Sequence, residues 1–282
     1  MLVTTPVPGQ KSSTGAKPGG ASAHLAEGLR VGRGASRFRL KQSTRRAGRG
    51  ALLLSLLPMA VYASVLATLE GPAGSAPQAT WTFAGLPNQT LPATRFAVER
   101  QGGRTVLRIQ AAASYGFLVH PVAEVPAGRL SWRWRVDKPL TLTDLRTRQG
   151  DDVALKVCVL FDGPRDAVPF VERQLLRLAE SRTGQALPIA TLCYAWDPSW
   201  PPGSVVPNAY SRRVRYITLG SIPRSWQDVS RDLAADFVRA FGDETTSIPK
   251  VRAVAVGADA DNTGGDSLGY ISDLEWVSVP DR

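Results

Sequence analysis

Two acidic clusters are the residues best suited to chemistry in this 282-residue chain. The first is Gly150-Asp151-Asp152, directly before a long apolar stretch. Adjacent carboxylates at a strand start can bind a cation or cap a turn. The second runs Asp259-Ala260-Asp261-Asn262-Thr263-Gly264-Gly265-Asp266. Its alternating side-chain oxygens, followed by glycine, follow the first half of a calcium loop. Tyr270 stands where an EF-hand needs a bidentate Glu, and no helix precedes the loop, so this is no EF-hand. Two readings stay open: a looser Ca²⁺ site on Asp259 and Asp261, and an ordinary Asx-rich loop between strands. Paired acids also suit glycoside hydrolysis, with Asp151 or Asp152 set against Asp259 or Asp261.

Aromatic rings offer a second kind of chemistry, because sugars stack their apolar faces on exposed Trp and Tyr. Trp132 and Trp134 share a face with Val136 and read as core. The run Trp196-Asp197-Pro198-Ser199-Trp200-Pro201-Pro202-Gly203 leads into a loop, and Asn208 and Tyr210 follow on the same excursion. Candidate ligand contacts are therefore Asp151, Asp152, Trp196, Asp197, Trp200, Asn208 and Tyr210.

Several reactions lack their residues. Beyond the first 50 residues the sole histidine is His120, in Val119-His120-Pro121 at the end of an apolar stretch, where a structural role is expected. No G-x-S-x-G elbow accompanies it, so a Ser–His–Asp triad has no frame. A histidine zinc site, a phosphate-binding Gly loop and a dinucleotide fingerprint are absent from the sequence. The glutamates Glu99, Glu124, Glu172, Glu180, Glu244 and Glu275 stand singly. These absences favour a non-catalytic domain.

The elements that must position these residues are mostly strands. Residues 104–110 and 131–136 alternate apolar and polar side chains. Residues 153–161 are apolar at every odd position, as in a central strand. Further strands are expected at 192–196, 214–219, 251–258 and 270–279. Two helices are expected. One covers 167–180, with Phe170, Val171, Leu175 and Leu178 at helical spacing. The other covers 231–241, with Ser230 as N-cap and Gly242 as stop. Many short strands with one or two short helices predict a mostly β, antiparallel two-sheet sandwich of the jelly-roll or lectin-like kind over 81–282.

Charge divides the chain. Residues 1–50 hold ten Lys/Arg and one acid, Glu27, whereas the remainder carries a net charge near +1. This leader is rich in Gly, Ser, Ala and Arg and is expected to be disordered. The folded part lacks the basic surface that nucleic acid requires, so no nucleic-acid partner is expected. Residues 51–69 are uncharged and follow Arg45, Arg46 and Arg49. They read as a signal-peptide apolar region with cleavage after Ala67 or Ala76, or as an inner-membrane anchor and the only membrane contact if uncleaved. Either way the domain is expected to be periplasmic or secreted, with residues 70–80 as a linker. In that setting Cys158 and Cys193 could pair, although strand adjacency is not legible from sequence.

In order along the chain, Gly150-Asp151-Asp152, Leu192-Cys193-Tyr194-Ala195-Trp196-Asp197, Pro207-Asn208-Ala209-Tyr210, the 231–242 helix, the 259–265 loop and the terminal 270–276 strand form a recognisable set. The chain resembles the bacterial domain of unknown function 3047 over most of its folded part. The resemblance implies an exported β-sandwich similar to carbohydrate-binding modules, and it implies no activity. The expected function is binding of a saccharide or other cell-envelope polymer. The alternatives are a carboxylate-dependent hydrolase of glycans or esters and a structural envelope protein without a small ligand.

Overall fold

Apolar–polar alternation builds two sheets here, and a computed structural model describes them over residues 65–220 and 222–277. The expected leader and most of the 51–69 run lie outside the described residues. No helix among the described residues is long and apolar enough to cross a membrane. In chain order the strands are β1 (Thr82–Ala84), β2 (Arg95–Gln101), β3 (Arg104–Ala112), β4 (Tyr115–Val125), β5 (Arg129–Lys138), β6 (Val153–Asp162), β7 (Ala190–Trp196), β8 (Val205–Pro207), β9 (Val214–Leu219), β10 (Gln227–Asp232), β11 (Lys250–Asp259) and β12 (Asp266–Val277). Helix α1 (Phe170–Thr183) lies between β6 and β7, and α2 (Leu233–Phe241) follows β10.

One sheet has seven strands in the order β1-β4-β11-β6-β7-β9-β8, and the other has five in the order β10-β5-β12-β3-β2. Every pairing between these strands is antiparallel except that of β7 with β9. The expected antiparallel sandwich is the observed fold. Its core lies between the sheets, where Trp132 and Trp134 of β5 meet Val157, Val159 and Phe161 of β6 and Leu192, Tyr194 and Trp196 of β7. The Trp132 ring contacts Tyr194 across the sheets at a centroid distance of 5.2 Å and packs edge-on to Trp134 at 5.6 Å. Helix α2 adds Leu233, Phe237, Ala240 and Phe241 to the same core. Its Asp236 accepts a hydrogen bond from the buried Tyr194 hydroxyl at 2.8 Å and another from Arg231 Nε at 2.7 Å.

Both helices differ from their expected positions. Ser230 belongs to β10, opposite Ser131, because pairing with β5 carries the strand through Asp232. Asp232 is the N-cap instead, accepting from the backbone N–H groups of Ala234 and Ala235 at 3.1 and 3.0 Å. Helix α1 starts after Pro169 and ends at Gly184, whose φ of 67° suits a glycine C-terminus. Its buried residue is Leu176, while Phe170, Val171, Leu175 and Leu178 are exposed. The periodicity was there, but its stripe faces away from the core.

The opposite face of the seven-stranded sheet carries a second apolar cluster of Leu145, Val153, Cys158, Cys193, Ala195, Val206, Tyr216 and Ala255. Cys158 and Cys193 stand directly opposite each other in the β6–β7 register and form a disulfide. The bond closes a loop across a sequence separation of 35 residues. Replacing both cysteines with alanine is expected to lower stability by about 3–4 kcal/mol, from the loop-closure entropy returned to the unfolded chain. Denaturant titration of the double variant checks this, and an unchanged midpoint would refute it.

Candidate functional site

Gly150 sets the geometry at the head of β6. A side chain there would meet the Asp144 backbone nitrogen at 2.5 Å, so only glycine allows this close approach. The turn delivers Asp151 and Asp152 to the sheet end, and the two diverge. Asp152 is fully buried. Its Oδ1 accepts from Asn262 N and Nδ2 at 3.2 and 3.1 Å, and its Oδ2 from Thr263 N and Oγ1, both at 2.6 Å. Asp152 therefore clamps the 259–266 loop. Asp151 turns toward β9, accepting from Asn208 Nδ2 at 2.5 Å and from the Tyr216 hydroxyl at 3.0 Å.

Asp259 ends β11 beside them. Its carboxylate accepts from Val153 N at 2.7 Å and from Lys156 Nζ at 2.5 Å. Lys156 is buried, and its ammonium faces the Phe117, Tyr115 and Tyr216 rings at 4.8, 5.9 and 6.0 Å. Burial alone would weaken its hold on the proton, but the adjacent Asp259 carboxylate overrides that and raises its pKa. Desolvation lifts Asp151 to a pKa of about 6, with Asp259 repulsion adding to it and Lys156 attraction opposing it. Burial also carries the Tyr115 phenol up to about 12.

Asp152, Asp259 and Asp261 bring one oxygen each within 4.8 Å of one another. A calcium ion needs six to eight oxygen ligands. Here Asp152 and Asp259 are committed to protein donors, and only Asp261 keeps a buried oxygen without a hydrogen-bond partner. The Lys156 ammonium already supplies the positive charge, so these residues do not fit Ca²⁺ as they stand.

Three loops lock together around Tyr210. Its hydroxyl lies 2.8 Å from Asn262 Oδ1 and 3.2 Å from the Arg148 carbonyl, and the Arg148 guanidinium covers its ring at 5.1 Å. Asn208 Oδ1 accepts from Tyr210 N at 2.9 Å and from Ser211 N at 3.1 Å, shaping the turn. Tyr210 as a whole remains 55% exposed. Trp200 is half-buried, lies under the Arg146 guanidinium at 5.5 Å, and lines a cleft of about 420 Å³ with Thr143, Asp144 and Ser199.

The sequence-selected residues thus divide. Asp151, Asp152, Asn208, Tyr210, Asp259 and Asp261 come together beside the start of β6. Trp196 belongs to the core between the sheets, and Asp197 is buried with its carboxylate accepting from Ser199 N at 2.6 Å. Both are out of reach of a surface ligand. His120 lies inside β4 rather than at its end, consistent with a structural role. Lys156, Tyr115 and Tyr216 were missed. A lone lysine in the apolar run Val153-Ala154-Leu155-Lys156-Val157 was the available signal.

With that geometry in view, residues 79–275 match a family described as a protein of unknown function (DUF3047), and the chain belongs to it. No curated protein matches the sequence. Among solved structures, it is similar to a mutant of the family 29 carbohydrate-binding module CBM29-2, with 10% identity, 74% of this chain and 83% of that chain covered, and a TM-score of 0.31. It is also similar to the xyloglucanase domain of NopAA, a type three effector from Sinorhizobium fredii, in complex with cellobiose, with 9% identity, coverages of 74% and 99%, and a TM-score of 0.38. A family 12 xyloglucanase from Bacillus licheniformis gives 8% identity, coverages of 70% and 100%, and a TM-score of 0.35. At these identities and scores the likeness assigns this chain no role.

The raised pKa of Asp151 has a definite sign in stability. Its folded value of about 6 exceeds the ordinary 3.8, so its contribution is full below that ordinary value and is lost as pH rises through 6. Asp151→Asn is expected to gain about 1–3 kcal/mol over the native protein at pH 7 and nearly nothing at about pH 3. Denaturation midpoints across that range test it, and a variant destabilised at pH 7 would count against it.

Proposed function

We propose that this domain works outside the cytoplasm as a non-catalytic module that binds a saccharide, such as a cell-envelope polymer, at the loops beside the start of β6. The observation that carries the reading is the exposed Tyr210 side chain, set where three loops meet. Trp200, with Arg146 above it, supplies a second aromatic surface among polar groups. Apolar sugar faces stack on such rings, while hydroxyls pair with guanidinium and amide groups. A ring fixed before binding loses little conformational freedom on contact, which suits a weak polymer ligand. The disulfide supports an oxidising compartment, and the small net charge beyond residue 50 argues against nucleic acid.

A second reading, a hydrolase acting through carboxylates, draws on Asp151, whose pKa of about 6 is suited to a general acid. Against it, Asp151 is buried and both its oxygens are engaged. Polysaccharide degradation abolished by Asp151→Asn would establish this reading over the first.

Titration calorimetry against peptidoglycan fragments, lipopolysaccharide O-chains and plant β-glucans tests the binding reading. Tyr210→Ala and Trp200→Ala are each expected to weaken binding about tenfold. Tyr210→Phe keeps the ring and is expected to retain most of the affinity. No binding to any of these polymers, with the fold intact by circular dichroism, would sink the proposal.

A further inference from the structure

The segment just before the first strand is built into the domain. Leu66 and Leu69 are buried in the main core, together with Trp81, and Val65 packs against them. Two directed contacts fix the backbone between the leucines. Ala67 N–H donates to His120 Nε2 at 3.1 Å, and the Ala67 carbonyl accepts from the Trp81 indole at 3.1 Å. The Trp81 and His120 rings themselves meet at 5.1 Å. An imidazole nitrogen accepts only when it is unprotonated, and burial lowers the His120 pKa, which keeps it so. The following stretch, expected as a slack linker, is tied down too. Gly74 N donates to Val98 O at 2.8 Å, and Val98 N donates to Ser75 O at 2.7 Å.

This changes the reading of the apolar run. Within its last five residues, 65–69, the side chains of Val65, Leu66 and Leu69 and the backbone of Ala67 are engaged by the domain. What remains, 51–64, is 14 residues long. That length suits the apolar region of a signal peptide, which takes about 7–15 residues, and falls short of the roughly 20 that a helical span needs. Cleavage after Ala67 would remove Leu66 and both Ala67 contacts, and cleavage after Ala76 would also remove Leu69 and the Ser75 contact. Upstream of the docked segment, Val61-Tyr62-Ala63 offers the same small-residue spacing.

We propose that a signal peptidase cuts this chain after Ala63, so that residues 65–69 stay on the mature domain as a core-filling N-terminal strap. The step is hydrolysis of the Ala63–Ser64 peptide bond. One water is consumed, leaving a carboxyl on Ala63 and a free amine on Ser64. The inference rests on the export reading given above and adds where processing falls.

The test is the intact mass and N-terminal sequence of the full chain produced in an exporting bacterial host and recovered from the periplasm. The expected N-terminus is Ser64. Ala63→Leu should leave a precursor that accumulates, whereas Ala76→Leu, at an exposed position, should be processed as before. A mature N-terminus at Thr68 or Pro77 would overturn the inference while leaving export standing. An unprocessed chain held at the membrane would overturn the inference while leaving export standing, and an unprocessed chain confined to the cytoplasm would overturn both. A second measurement is independent of the peptidase. Purified domains starting at Ser64, Thr68 and Pro77 are compared by thermal melting, with the two shorter ones expected to melt at least about 5 °C lower. Equal melting temperatures would show that residues 65–69 are not a working part of the domain.

Discussion

An ammonium group can be taken out of water only beside a carboxylate that compensates for its lost hydration. Lys156 and Asp259 meet that condition, and much of the site follows from it. The pair joins β6 to β11 at the centre of the larger sheet, where both strands are flanked on each side. Once the lysine is placed, the surrounding residues are constrained. Phe117, Tyr115 and Tyr216 present ring faces to the cation. Asp151, pushed toward its neutral form by burial, takes hydrogen bonds from Asn208 and Tyr216. Removing one member would leave the other charged and unpaired, a far larger penalty than losing a surface ion pair.

From this buried pair the order runs outward to the loops. Asp152 holds Asn262 and Thr263, Asn262 reaches the Tyr210 hydroxyl, and Tyr210 lies beneath Arg148. Groups that look like ligand-binding carboxylates are in large part internal fasteners. The surface that results is aromatic and amide-lined, with its acids turned inward.

The fold was legible because alternation is a local signal. Trp132 and Trp134 on one face of a six-residue run already placed β5 against the core. The loops were legible as turn-forming sequence, but their convergence was not, because the 208–213 turn opens at the start of β9, across the sheet from the β6 start, and reaches it through the Asn208–Asp151 contact. Other features depend on which surface an element meets, and that information is not local. The stripe of Phe170, Val171, Leu175 and Leu178 gave α1 its helical period but not its orientation. Trp196 and Trp200 sit four positions apart in one motif, yet one ends a strand inside the core and the other lies in the loop beyond. Ser230 was an adequate cap by residue type, but β-pairing with Ser131 claimed it first. The cysteines could be recognised as a pair only once β6 and β7 were known to be neighbours in register.

That disulfide has a consequence for the excursion it encloses. The chain between Cys158 and Cys193, with α1 in its middle, is a covalent ring whose two ends are also adjacent hydrogen-bonded strands. A protease that nicked the ring near the exposed face of α1 would still leave the two halves of the sheet bonded to each other. Within the ring, the strand residues Val159, Phe161 and Leu192 are core, so the freedom to vary belongs to the exposed face of α1. In mechanical terms, α1 hangs from the sheet as an appendage on a closed shackle.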